Sequence, residues 1–81
     1  MGNKNHKRYT FSINLSYADC EDLYKQHIKF LMVTDDNGKR IQLPKDNMKR
    51  FVTPIGLKGR FELLTDINHK ILTIKPLDTP N

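Results

Sequence analysis

Residues 9–15, YTFSINL, alternate apolar and polar side chains without a break. Successive side chains of a strand point to opposite faces. Tyr9, Phe11, Ile13 and Leu15 therefore define one face to be buried, and Thr10, Ser12 and Asn14 a wet one. At 81 residues the chain makes one domain, so the rest of it must cover that face. Ser16 ends the alternation where a helix N-cap would stand, and Asp19 falls where a capping box places an acid. Asp19, Glu21 and Asp22 suit the N-terminal end of a helix dipole. The spacing predicts a helix over 17–27 with Cys20, Leu23 and Tyr24 on its inner side.

The remaining segments read as two hairpins. IKFLMVT, residues 28–34, leads into Asp35-Asp36-Asn37-Gly38, whose Asn-Gly pair favours a tight turn. KRIQLP returns with Ile41 and Leu43 inward, and Pro44 ends the pairing because it cannot donate to a ladder. Asp46 opens a helical turn containing Met48 to Phe51, and Thr53 before Pro54 is pushed out of helical geometry. Gly56 and Gly59 mark a turn or bulge before a strand with Phe61 and Leu63 inward. TDINHK, residues 65–70, turns into ILTIK, with Leu72 and Ile74 inward, and Pro76 closes it. The expected fold is α+β, with about five mostly antiparallel strands in a curled sheet or small half-open barrel. One main helix follows the first strand, and a short helical turn precedes strand four. A flat two-layer sheet is the alternative. The expected organisation is a flexible tail over 1–8, one globular domain over 9–77 and a tail over 78–81.

Cys20 is the single cysteine, so no internal disulfide can staple the fold. One cysteine with scattered His6, His27 and His69 gives no zinc spacing. The core must be held by packing or by self-association. No apolar run approaches the 18 or so residues of a membrane span, and MGNKNHKRYTF has no apolar block after its charges. His6 stands where a myristoylation motif on Gly2 would want Ser or Thr. The expected location is the cytoplasm. No phosphate loop, nucleophile elbow or zinc-protease helix is present. Cys20 reads as a packed small hydrophobe. DDNG reads as a turn, because it lacks the ligand ladder of a calcium site. The expectation is a protein that is not an enzyme and holds no cofactor and no metal.

Charge is the feature left to explain. The net charge is +5, and it is concentrated centrally. Residues 39–60 carry Lys39, Arg40, Lys45, Lys49, Arg50, Lys58 and Arg60 against Asp46 alone, a local +6. Residues 43–61, LPKDNMKRFVTPIGLKGRF, hold most of it. If its cationic places converge, Lys45, Lys49, Arg50, Lys58, Arg60 and Arg40 form a surface for nucleic acid or another polyanion, or for an acidic protein. Single-stranded nucleic acid also asks for exposed aromatics, yet Tyr9, Phe11, Phe51 and Phe61 fall in the buried phase. The competing expectation is a protein-interaction module or homodimer, with no nucleic acid and no membrane as partner. Its contacts would come from sheet edges and from Ile55, Leu57 and Ile67.

Three stretches carry a family resemblance: LSY with the acidic helix start at Leu15 to Asp22, IQLP at Ile41 to Pro44, and RFVTPIGLKGRFEL at Arg50 to Leu63. From Tyr9 to Leu77 the chain resembles a family of short bacterial proteins, domain of unknown function 2835. The resemblance implies a small bacterial cytoplasmic protein with no assigned catalytic residues. It transfers no site.

Overall fold

The computed structural model describes residues 6–77. The alternating stretch forms strand β1, His6–Leu15, followed by a 3-10 helix, Asp19–Tyr24. Strands β2, Phe30–Thr34, and β3, Arg40–Pro44, make the first hairpin. A single helical turn, α1, Asp46–Lys49, leads to β4, Leu57–Asp66, and β5, Ile71–Pro76. β1 begins at His6 because His6, Lys7 and Arg8 pair with Asp66, Thr65 and Leu64. The strand thus starts three residues before the alternating stretch at Tyr9. Residues 1–5 and 78–81, where the rest of the predicted tails fall, lie outside the described residues.

The strands are antiparallel, as expected, but they make two sheets, ordered β1-β4-β5 and β2-β3. This corrects the expected curled sheet or half-open barrel: neither sheet closes or curls. The physical reason is strand length. β1 and β4 run ten residues each, whereas β2 and β3 run five, and Pro44 stops β3 before it could reach β5. Between the sheets the backbone makes a bridge from Phe11 to Asp35, beside which the Asp36 N–H donates to the Thr10 carbonyl at 2.9 Å.

The inner faces build one core. Phe11, Phe61, Leu63 and Ile74 come from the larger sheet, Val33 and Leu43 from the hairpin, and Cys20, Leu23 and Met48 from the helical segments. Phe11 and Phe61 stack with ring centroids 5.8 Å apart, and Phe51 tilts onto Phe61 at 5.0 Å. Such pairs add to the burial of their area. Gly56, at φ 118°, lies against the end of β1, where an added Cβ would fall 2.1 Å from the Leu15 carbonyl oxygen.

Two elements differ from the sequence expectation in detail. The helix predicted over 17–27 is a 3-10 helix of six residues. Its inward residues, Cys20 and Leu23, are spaced by three, which is the 3-10 repeat, and Tyr24 stays exposed. The Ser16 hydroxyl accepts from the Asp19 N–H at 3.1 Å, so the anticipated cap operates on a shorter element. In β5, Leu72 points out and Ile71 in. The register runs Leu64 to Thr73 and then Thr65 to Ile71, leaving Leu72 as an extra residue. A bulge of this kind reverses the phase of the residues beyond it.

Candidate functional site

Most of the basic side chains singled out by the sequence are occupied within the fold. The Lys45 ammonium donates to the Lys25 carbonyl and ties α1 to the end of the 3-10 helix. Lys49 pairs with Asp46 at 3.1 Å and stands 5.4 Å from the Tyr24 ring centre. Arg50 lies over the Phe51 ring and donates to the Ile74 carbonyl at 2.9 Å, covering part of the open edge of β5. Arg60 donates to Ser12 Oγ at 2.9 Å and forks onto Asp36 at 2.5 and 3.2 Å. Lys58 is exposed and makes no ion pair among the described residues.

These residues do not share a surface. Met48 and Phe51 place α1 on the inner side of the larger sheet. Lys58 and Arg60 follow the opposite phase of β4 and stand on its outer side. That outer face is a lattice of pairs. Arg8 bonds Glu62, with Lys75 at 3.6 Å from the same carboxylate. The Arg8 bond holds the Glu62 carboxyl below its ordinary value. The Arg60 bond, then that of Thr10, does the same for Asp36, and Asp36 in turn raises Arg60.

Arg40 has a different setting. β3 has β2 on one side and no strand on the other, and a cavity of about 200 Å³ runs along that open edge. Lys39 to Leu43 form one wall. Tyr9, Leu63, Thr65 and Ile71 form the floor and the far wall, and His69 closes the end. The lining is apolar at Ile41, Leu43, Leu63 and Ile71. Its rim is formed by the exposed residues Lys39, Arg40 and His69. Lys7, opposite Thr65 in the register, stands next to the far wall. None of these four has an ion-pair partner among the described residues.

Asp35 and Asp66 stand near these lining residues in the sequence, and each is bound by backbone amides. Asp35 Oδ1 accepts the N–H groups of Asn37 at 2.9 Å and Lys39 at 2.7 Å. Asp66 Oδ1 accepts those of Asn68 at 2.8 Å and Lys70 at 2.9 Å. The Lys70 N–H, ahead of that of Asn68, keeps the Asp66 carboxyl below its ordinary value. Backbone amides thus hydrogen-bond both carboxylates, and the neighbouring charges of Lys70 and His69 add to the lowering of Asp66. His69 holds φ at 68°, an uncommon conformation for a residue with a side chain.

Of the six sequence candidates the cavity collects Arg40 alone. Tyr9, Lys39, Thr65 and His69 were not among them. Their common signal is position: each lies at or near the end of a strand that borders the gap, and which strands border a gap depends on strand order. A shallower groove elsewhere is lined by Tyr17, Tyr24, Val52, Thr53 and Pro54. Cys20 is free and buried in the core and belongs to neither lining set. Among the described residues no group of three or more His, Cys, Asp or Glu could hold a metal, and no helix is long and apolar enough to cross a membrane.

Residues 7–77 match the family described as Protein of unknown function (DUF2835). No curated protein and no solved structure matches the chain.

Proposed function

Because the chain belongs to the DUF2835 family, whose description gives no activity to transfer, we propose a function from geometry: a non-enzymatic module that binds an anionic ligand at the open edge of β3. One observation carries it. Lys39 and Arg40 line one cavity together with His69, and neither of these two cations has an ion-pair partner among the described residues, while Lys49 and Arg60 are paired with acids within the fold. Unpaired cations around a concave site raise the local concentration of anions. Arg40 adds a planar fork that matches carboxylate and phosphate.

The test is binding of a labelled single-stranded oligonucleotide and of heparin at two salt concentrations. Affinity should fall as salt rises. Arg40→Glu with Lys39→Glu should weaken binding at least tenfold, and Lys58→Glu on the outer sheet face should leave it within twofold. Binding that ignores salt, or that depends on Lys58 and not on Arg40, overturns the proposal.

A protein-interaction role is the second reading, favoured by Phe30 and Met32. They lie two apart on the outward face of β2 and are 52% and 51% exposed. Sedimentation that shows a monomer over a wide concentration range removes its homodimer form.

A further inference from the structure

The cavity at the open edge of β3 combines two chemistries that an anion-binding surface alone does not need. Its rim is cationic, and its floor is hydrocarbon. The apolar accessible surface comes from the half-buried Tyr9, Ile41 and Ile71, since Leu43 and Leu63 are 0% and 1% exposed, and Ile71 reaches the cavity only because the bulge in β5 turns it inward. A polyanion tracked along its backbone would use the rim and leave this floor in contact with water. An apolar cavity of about 150 Å³ accommodates benzene, so about 200 Å³ has room for a body of roughly six to ten non-hydrogen atoms. Two hydroxyl-bearing residues, Tyr9 and Thr65, stand between rim and floor. Thr65 Oγ1 donates to the Asp66 carbonyl at 2.9 Å and keeps its lone pairs for an incoming donor. On the other wall, the edge of β3 presents backbone groups that no strand satisfies.

Resting on the reading of this site as an anion-binding one, we propose that its ligand is a small amphiphilic anion, a carboxylate or phosphate on a compact apolar body, bound one per chain. The Arg40 fork and Lys39 take the anionic head, and the His69 imidazole closes over it. Tyr9, Ile41 and Ile71 receive the body. This assigns the apolar lining a purpose.

The experiment is titration calorimetry of the full chain at low salt against acetate, butanoate, hexanoate, octanoate and decanoate, with benzoate and phenyl phosphate as ring-bearing probes. Each added methylene should tighten binding about fourfold until the cavity is full near octanoate, after which the gain stops. Arg40→Gln should weaken every member at least tenfold. Ile71→Phe, which fills the floor with apolar volume, should abolish the chain-length gain while acetate binding is retained. A flat series with oligonucleotide binding still dependent on Arg40 overturns the amphiphile and leaves the anion-binding module standing. Failure of every small anion and of the polyanions alike overturns both. Benzoate or phenyl phosphate, whichever binds tighter, identifies the head group.

Discussion

The two hairpin turns of this domain are built alike and furnished differently. In the first, Asp35 accepts the N–H groups of Asn37 and Lys39 on one carboxylate oxygen. In the second, Asp66 does the same with Asn68 and Lys70. The backbone repeats as well. Asp35 N–H donates to the Lys39 carbonyl at 2.8 Å and Asp66 N–H to the Lys70 carbonyl at 3.0 Å, while Gly38 and His69 each donate back across the turn. The fourth position is left-handed in both, at φ 85° and 68°. Glycine meets that demand without strain, and the first turn uses it. The second uses histidine, which pays a conformational penalty, and that histidine lines the cavity. One turn is thus built for folding. The other places an imidazole at a position that disfavours a side chain, and under the proposed function that strain serves the site, as strained residues at functional sites commonly do.

The comparison is tested most severely through the carboxylates. Asp35 is 7% exposed, so Asp35→Ala strands two amide donors in a poorly solvated turn. It should cost about 2–3 kcal/mol in urea unfolding, a large share of the stability of a domain this small. Asp66→Ala should cost clearly less, because water can replace the carboxylate there. Equal losses would show that burial does not separate the turns.

The left-handed position comes next. Gly38→Ala meets no atom within 4 Å, so its penalty is purely of backbone conformation, about 1–2 kcal/mol. The reverse exchange, His69→Gly, should stabilise by up to about 1 kcal/mol, since relief of strain is partly offset by the freer unfolded chain. The same variant should bind the ligand at least fivefold more weakly. A His69→Gly protein that is less stable, with unchanged binding, would make the histidine a structural residue and end the contrast.

Acid pH separates the turns more gently. The folded Asp66, Asp36 and Glu62 carboxyls all lie below their ordinary values. Groups so depressed lend stability that is complete above the unfolded value, near pH 4, and is lost as pH falls through the folded value. Unfolding midpoints should therefore be insensitive to these groups at neutral pH and decline below about pH 4. Asp66→Asn should flatten part of that decline and Asp36→Asn another part. Solvent screening keeps each contribution modest. A midpoint that rises on acidification would contradict the assignment.

Much of this fold was legible in the sequence, and the limits are instructive. The period of two in residues 9–15 forecasts β1, and Asn37-Gly38 forecasts the first turn. Both signals are local, and local chemistry decides them. Leu72 was expected inward because alternation was carried through a bulge, and nothing in the residues of β5 announces a bulge whose origin is pairing with β4. The basic candidates show the same limit. Arg60 looks like a ligand contact until the fold brings Asp36 beside it from 24 positions away. His69 looks like a surface residue until strand order places it at the end of a cavity. The second turn did offer a signal, since Asp66, Asn68 and Lys70 repeat the spacing of Asp35, Asn37 and Lys39. Turn propensity alone overlooks it, because histidine stands where glycine is anticipated.

The smallest expected effect concerns the second residue of each turn. In the first it is Asp36, bonded to Thr10 and Arg60 across to the larger sheet. In the second it is Ile67, 53% exposed and absent from the turn's hydrogen bonds. Ile67→Asp should therefore shift unfolding by no more than about 0.5 kcal/mol, as surface changes away from special features do. Ligand affinity should stay within twofold, since Ile67 is not among the cavity's lining residues. Asp36→Ala, at the matching place, should be measurably destabilising because it releases Arg60 and Thr10 together. If Ile67→Asp proved as damaging as Asp36→Ala, that apolar side chain would have a cover that the isolated chain does not supply, and the second turn would be a docking element as well as the end wall of a cavity.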